Sequence, residues 1–453
     1  MLLFLIYLRA NFSNKIGINY GQLGNNLPSP SKSIELIKSM KAGGVKLYDA
    51  NPEILKLLSG TKIQVSIMVA NNEISSIASS QRKAEEWIKT NVLPYYPKTK
   101  IRFLLVGNEI LSYNSDQDRQ NWRDLVPAMS NIRSSLKSRN ITDVKVGTPL
   151  AMDVVESTFP PSSGKFRSDV SGSVILPMLR FLNKTKSFFF IDVYPYFPWS
   201  QNPSKISLDS ALLKGNFRYK DPGTGLVYTN LLDQMLDSII FAMTKLGFPK
   251  IPLLIAETGW PTSGDGNLGA NVVNAAIYNR NLVKRMTAKQ PLGTPVRPGV
   301  VIPTFIFSLF EENQKTGAAI ERHWGLLGAD GTPLYDIDLT GNLPAAKYKP
   351  LQLSSTENDG QKKGKAWCVV ARGANLMAIR AALSYACGVG NGTCDALKPG
   401  HDCHAPATVA WRASYAFSSY WAKFKSQGAT CYFNGLAQQT TTDPSKYFFA
   451  QVK

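Results

Sequence analysis

At 453 residues the chain exceeds one ordinary domain and suits a barrel of typical size followed by a smaller module. Hydrophobic residues make up 44% and charged residues 18%, which excludes a disordered chain. The balance is basic, 51 Lys and Arg against 32 Asp and Glu, but no basic block is interleaved with aromatics, so a diffusely basic surface is expected and nucleic-acid binding is not.

The first residues read MLLFLIYLRANFS. Leu2 to Leu8 is at the short limit of the apolar core of a secretory signal and has no basic residue before it. Residues 1–13 are therefore read as a truncated or atypical signal segment, far too short to span a bilayer. Sequons at Asn11, Asn140, Asn183 and Asn391 are compatible with a secreted glycoprotein. No hydrophobic C-terminal tail that would direct a lipid anchor is expected.

Eight short apolar runs follow: Ile16 to Gly21, Val45 to Ala50, Gln64 to Ala70, Ile101 to Ile110, Val144 to Leu150, Phe188 to Phe197, Pro252 to Trp260 and Thr304 to Glu312. They are apolar almost throughout, as strands covered on both faces should be. Helical patterns fill the gaps. Ser29 and Pro30 look like a cap and first turn; Ile34, Ile37 and Met40 share a face, and Gly43 ends it. Ala84, Trp87, Ile88 and Val92 repeat the pattern. So do Trp122, Leu125, Met129, Ile132 and Leu136, with Pro127 as a misfit near the start, and then Leu232, Met235, Leu236, Ile239, Met243 and Leu246, stopped by Gly247. Strands alternating with amphipathic helices argue for a closed (β/α)8 TIM barrel. An open doubly wound sheet is the runner-up, and the G-x-G-x-x-G loop that would favour it is missing.

Two runs end in acids. IRFLLVGNEI carries Glu109 and PLLIAETGWP carries Glu257. A carboxylate at the mouth of a buried strand is partly desolvated and needs compensating neighbours. Parallel barrels place catalytic groups at that end of their strands, and two such acids are the minimum equipment for glycoside hydrolysis. The competing reading is a structural ion pair or a solvated loop. Tyr48, Asn108, Tyr194, Phe197 and Trp260 are further strand-end residues. Asn108 is placed to bond a sugar 2-hydroxyl, Tyr194 to orient the nucleophile, and Tyr48, Phe197 and Trp260 to stack on sugars; each would otherwise cap the core. NFRYKDPGTGLVYTN reads as a hairpin around Asp221, Pro222 and Gly223, an insertion of the kind that builds a substrate rim.

The barrel is assigned to residues 14–342 and a polar linker to 343–365, where Lys362, Lys363 and Lys365 form the longest basic cluster. All five cysteines, Cys368, Cys387, Cys394, Cys403 and Cys431, fall in the last module, 366–453. That asymmetry points to a small disulfide-stapled unit; the odd count leaves a thiol without an intrachain partner, and spacing does not fix the pairing. His401 and His404 flank Cys403, but a stapled module explains them without a metal. No metal and no cofactor is expected.

At VGNE and ETGWP the chain resembles glycoside hydrolase family 17, the plant glucan endo-1,3-β-glucosidases. INYGQLGNNLPSP, VKLYDANPEIL, IDVYPYF and FEENQKTGAAIERHWGLL resemble further blocks of that family, in its order. The resemblance implies a retaining (β/α)8 hydrolase of internal 1,3-β-glucan linkages, with callose or fungal wall glucan as substrate and a place in plant defence or callose turnover. It implies Glu257 as nucleophile, Glu109 as general acid/base, and Glu312, Lys315 and Glu321 as supporting charges; on position alone those three read as a solvated loop. The tail is similar to a mainly helical family 43 carbohydrate-binding module, which implies β-1,3-glucan as partner and the pairs Cys368–Cys431 and Cys387–Cys394. That module usually has six cysteines, so Cys403 lacks its usual partner. A monomer is expected, with Cys403 open to a covalent dimer, in the extracellular space or cell wall. The alternative is a non-catalytic wall-glucan-binding protein.

Overall fold

The computed structural model describes residues 16–264, 268–349, 351, 367–371, 374–390, 392–401, 408–425, 429–433 and 436–440. The signal segment, the sequons at Asn11 and Asn391, most of the linker with its three lysines, Cys403 and His404 lie outside the described residues. Two compact units divide the chain: Met1–Thr262 with Val272–Leu351, and Ser263–Asn271 with Gln352–Lys453. Among the described residues no helix is long and apolar enough to cross a membrane.

The first unit is a ring of parallel strands: β1 (Gly17–Asn19), β2 (Gly44–Lys46), β3 (Gln64–Val69), β4 (Lys100–Val106), β5 (Lys145–Gly147), β6 (Pro149–Ala151), β7 (Phe189–Asp192), β8 (Leu253–Thr258) and β9 (Thr304–Ile306). Their order around the sheet is β5-β4-β3-β2-β1-β9-β8-β7-β6. β5 and β6 are two halves of one run, interrupted at Thr148; the first pairs with β4 and the second with β7, so this segment closes the barrel. The predicted fifth strand, Val144 to Leu150, covers both halves.

Each barrel helix follows from its cap and its apolar stripe. In α1 (Pro30–Ser39) the Ser29 hydroxyl accepts from the Lys32 amide and Pro30 opens the first turn, while Ile34 and Ile37 are buried. α2 (Gln81–Asn91) buries Ala84, Trp87 and Ile88. α3 (Asp116–Ser138) starts at Ser115 in a capping box with Asp118, a full turn and more before the predicted start. Pro127 therefore sits mid-helix rather than near the start. α4 (Leu231–Lys245) buries Leu232, Met235, Leu236, Ile239 and Met243, and Gly247 beyond it takes φ +88°, a left-handed stop that suits glycine. The predicted hairpin is present: Tyr219–Lys220 pairs antiparallel with Val227–Tyr228. Asp221 caps its turn by accepting from the Gly223 and Thr224 amides.

Inside the barrel Met68, Phe103, Leu105, Phe190, Leu254, Ala256 and Phe305 meet in one buried cluster. Phe103 is its hub, edge-on to Phe188, Phe190 and Phe305 at centroid distances of 5.7–6.3 Å. This packed layer lies beneath the strand ends and fixes where they point.

Among its described residues the second unit has two α-helices, α5 (Leu376–Val389) and α6 (Val409–Phe424), and a two-stranded antiparallel sheet, Trp367–Val370 with Ala437–Thr440. Cys368 is bonded to Cys431 and Cys387 to Cys394. The buried core here is small, with Phe417 and Ile379 as its largest members, so the cross-links carry part of the stability. Of the sequons inside the described residues, Asn140 and Asn183 are both exposed.

Removing the hub should loosen the whole barrel layer. Phe103→Ala is expected to lower unfolding free energy by about 3–5 kcal/mol, read as a drop in the urea midpoint at unchanged m-value.

Candidate active site

The parallel strands all deliver their C-terminal ends to one rim. Lys46 is the last residue of β2, Asp192 the last of β7, and Glu257 the last but one of β8. Glu109 lies three residues beyond β4, and Glu312, Lys315 and Glu321 follow β9. A cleft of about 1430 Å³ opens at this rim and takes in all of these groups except Lys46, which lies beneath it.

Glu257 is buried at 5% exposure, and its charge is met from three sides. The Lys46 ammonium donates to Oε1 at 2.5 Å and the Tyr48 hydroxyl to the same oxygen at 2.6 Å. The Tyr194 hydroxyl donates to Oε2 at 2.7 Å. Burial pushes the Glu257 carboxyl up, but the Lys46 charge and these hydrogen bonds outweigh it and hold the carboxyl below its usual range. Lys46 is itself fully buried, lies 4.2 Å over the Tyr48 ring and also donates to Asn108 Oδ1 at 3.5 Å.

Glu109 is in the opposite condition. Burial, and then the Glu257 charge, push its carboxyl up to about 7, with Lys46 pulling the other way. Its backbone takes φ +49°, left-handed and strained for a residue with a side chain. Three hydrogen bonds hold this turn: the Gly107 amide to Val69 O at 2.9 Å, the Asn108 amide to Asn71 Oδ1 at 2.8 Å, and the Glu109 amide to Pro149 O at 3.0 Å. Gly107 is left-handed too, at φ +71°, and a Cβ there would run into Ile74 and Ile110.

The supporting charges form an outer set. Glu312 is buried, accepts from the Leu23 amide at 2.9 Å and lies 3.8 Å from Lys315 Nζ. Its carboxyl is raised by burial against the pull of Lys315, and that of Glu321 is raised in the same way. Lys315 Nζ sits 3.9 Å over the Phe307 ring. A Cβ on Gly21 would overlap the Glu312 carboxylate, so only glycine fits there.

Of the expected aromatic contacts, Tyr48, Tyr194 and Phe197 line the cleft. Phe197 is 36% exposed, on a short helix, Tyr196–Gln201, rather than on the strand. Trp260 corrects the sequence reading. It has no exposed surface and packs against Tyr196, Trp199 and Tyr278, so it is a core residue and meets no sugar. The chain turns inward after Thr258, and strand-end position alone does not reveal that. Trp324, Phe159 and Tyr219 line the cleft instead, the last from the inserted hairpin. Phe159 is 61% exposed and its ring lies 4.8 Å from that of Tyr219. Among the described residues no group of three or more His, Cys, Asp and Glu is placed to hold a metal.

Sequence reasoning missed Lys46 and Asp192. The signal was available: each is the lone charged residue in an otherwise apolar barrel strand, and a charge buried on both faces of a sheet needs a partner.

Residues 16–339 match the glycosyl hydrolases family 17 model, and residues 366–438 match the X8 domain. A probable glucan endo-1,3-beta-glucosidase of Arabidopsis thaliana is 57% identical over 435 residues, covering 96% of this chain and 90% of that one. A glucan endo-1,3-beta-D-glucosidase of Olea europaea is 34% identical, covering 98% and 96%. Among solved structures, a beta-1,3-glucanase and allergen of Cryptomeria japonica pollen superposes with TM-score 0.67 at 40% identity, covering 72% of this chain and 99% of that one. With its barrel, its strand-end carboxyls and these matches taken together, the chain belongs to glycosyl hydrolase family 17 and carries an X8 domain behind the hydrolase unit.

Proposed function

We propose that this protein hydrolyses internal 1,3-β-D-glucosidic linkages of 1,3-β-glucan with retention of configuration. The observation that carries the reading is one cleft holding two carboxyls in opposite states: Glu257 kept ionised by Lys46, Tyr48 and Tyr194, and Glu109 kept protonated to about pH 7. That is the acid and nucleophile pairing of a double displacement.

Glu257 attacks the anomeric carbon while Glu109 gives its proton to the departing glycosidic oxygen. Oε2 carries one hydrogen bond and Oε1 two, so Oε2 is the less satisfied oxygen and the one offered to the sugar. Once Glu257 is an ester its charge is gone, and the second largest influence raising Glu109 disappears with it. Glu109, now ionised, takes the proton of the incoming water as the ester breaks. Asn108, bridging Lys46 and the cleft, is placed for the sugar 2-hydroxyl; Phe197 offers a ring to a sugar face, and Glu312, Lys315 and Glu321 hold further hydroxyls. The X8 unit is read as a second glucan contact, and the protein as a secreted monomer working in the wall. The alternative of a non-catalytic binder gains nothing from a site so strongly polarised.

Glu257→Gln is expected to lower turnover of linear 1,3-β-glucan by roughly 10³-fold or more while leaving the thermal midpoint near that of the native protein. In the native enzyme, proton NMR should show the β-anomer first; an initial α-anomer sinks the double displacement.

The pH profile of kcat/KM follows from the two carboxyls. It should fall above about 7 as Glu109 loses its proton, and fall in acid only below the ordinary glutamate range, as Glu257 gains one. Lys46→Met removes the charge that holds both groups down, so both limbs should move to higher pH. An acidic limb that stays in place shows that Lys46 does not set the Glu257 charge.

Sedimentation with insoluble 1,3-β-glucan tests the second unit. The full chain should sediment, and a chain ending at residue 351 should stay largely in solution with its hydrolysis of soluble glucan intact.

A further inference from the structure

Phe159 and Tyr219 form a pair of rings in the cleft that the reaction just described does not use. Phe159 is 61% exposed, and the two ring centroids lie 4.8 Å apart at an interplanar angle of 40°. Phe159 stands in the connection after β6, and Tyr219 opens the hairpin inserted after β7. With β5 and β6 counted as the single run they are, β6 and β7 stand opposite β1 and β2 in the ring, and β4 and β8 flank the line between them. Leu23 and Asp49, in the loops after β1 and β2, line the same cleft as Phe159 and Tyr219. The cleft therefore crosses the barrel mouth, passes between Glu109 and Glu257, and has the ring pair at one end. Its volume of about 1430 Å³ exceeds the roughly 300–1,000 Å³ of a pocket for one small molecule, so it is sized for several sugars of a chain.

An exposed ring on a loose loop would be ordinary surface. These two rings are held from both sides. Asp221, at the hairpin turn, has no exposed surface. Its Oδ1 accepts from the Gly223 and Thr224 amides at 2.8 and 3.0 Å, and its Oδ2 accepts at 2.9 Å from the amide of Ser162, in the segment that follows Phe159. One buried carboxylate thus ties the hairpin turn to the segment that bears Phe159. The approach is close, since a Cβ on Gly223 would crowd Ser162 Oγ. The same segment lies flush on α4: a Cβ on Gly164 would run into Ser238 O, and Lys245 Nζ donates to Ser163 O at 2.8 Å. Rings carried on segments braced in this way have little conformational freedom left to lose on binding.

We propose that Phe159 and Tyr219 form a distal glucan subsite, on which a glucosyl unit remote from the scissile bond stacks, and which makes the enzyme favour long chains over short ones. The occupant is the same 1,3-β-glucan chain that the carboxyls cut, because the ring pair is continuous with their cleft. The inference rests on the hydrolase reading above. A β-glucosyl ring carries its hydroxyls around its rim and its axial C–H bonds on its two faces, so the faces are apolar. The negative face of an aromatic ring attracts such C–H bonds, and stacking takes apolar surface of both partners out of water. A contact this far from the reacting bond is felt only by a substrate long enough to reach it. Short oligosaccharides leave the rings bare and lose nothing when the rings are removed.

The test measures kcat/KM on linear 1,3-β-gluco-oligosaccharides of increasing length, from trimer to octamer, with the full chain and with Phe159→Ala, Tyr219→Ala and Phe159→Tyr, the last of which keeps a ring. In the native enzyme kcat/KM should climb with length. Phe159→Ala should lose about 10-fold on the octamer, mainly through KM, and less than about 2-fold on the shortest oligomer cleaved. Tyr219→Ala should show the same pattern, and Phe159→Tyr should keep the native ratio of long to short. The second unit is identical in every variant, so its own glucan contact cancels from the comparison. A native ratio in Phe159→Ala overturns the proposal. So does an equal loss on long and short oligomers, which reports damage to the reaction centre rather than a lost subsite, or a loss in Phe159→Tyr as large as in Phe159→Ala. Should Tyr219→Ala not fold, Phe159→Ala decides, since its ring is mostly in solvent. A native enzyme that cleaves no oligomer of any length overturns the hydrolase reading itself, and the subsite with it.

Discussion

The buried pair between Lys46 and Glu257 is the constraint on which the rest of the site depends. Its side chains are 1% and 7% exposed, and neither charge is tolerable there alone. The two residues sit three steps apart around the ring, β2-β1-β9-β8, so the pair crosses the barrel mouth rather than joining neighbours. It exists only if the strands close with the register seen. Closure is in turn set by the aromatic layer around Phe103 below and by the double duty of the Lys145–Ala151 run, which pairs with β4 by one half and β7 by the other. Pair and barrel are therefore coupled: the fold delivers two charges to one point, and their separation would leave both stranded in a dry interior.

One ammonium among three carboxyls permits one ionised carboxylate at a time without large cost. The geometry favours Glu257, which takes the Lys46, Tyr48 and Tyr194 donors, while burial and the Glu257 charge raise Glu109 and Asp192. The same assignment links the site to stability. Glu109 and Asp192 are raised in the folded state, so the stability they contribute is full in acid and is lost as pH rises through their folded values, near 7 for Glu109. Glu257 is lowered, so its contribution is present above the ordinary glutamate range and is lost as pH falls through its depressed value. Between those limits the charge state that suits the chemistry is also the one the fold prefers.

Much of this was legible in the amino-acid sequence, for physical reasons that also mark where reading stops. The barrel was legible because its strands are apolar on both faces and its helices carry period-3.6 stripes. Glu109 and Glu257 were legible because an acid at the end of such a strand breaks a hydrophobic run at the rim where parallel barrels do chemistry. Lys46 and Asp192 showed as lone charges in apolar strands, but what they meet is set only when the ring closes and brings β2, β7 and β8 to one mouth. Trp260 was misread for a related reason. It follows Glu257 by three residues, as an accessible rim residue would, yet it folds under the rim against Tyr196 and Trp199. Exposure beyond a strand end depends on where the loop turns, and sequence spacing carries no record of that.

The loop that carries Glu109 shows what the barrel contributes beyond scaffolding. A left-handed glutamate costs on the order of 1–2 kcal/mol relative to an ordinary conformation. One local hydrogen bond, from the Ser112 amide to Glu109 O, offsets part of it, and the other contacts come from elsewhere: Val69 at the end of β3, Asn71 beyond it, and Pro149 of β6. The position of Glu109 is thus determined by strands on both sides of β4, and the strained conformation persists because both must move before it can relax. A relaxed loop, with Glu109 in the extended region, would give up the hydrogen bond from the Glu109 amide to Pro149 O. Strain at Glu109 is therefore the local consequence of holding its carboxyl at the rim where Glu257 reaches across the barrel mouth to Lys46.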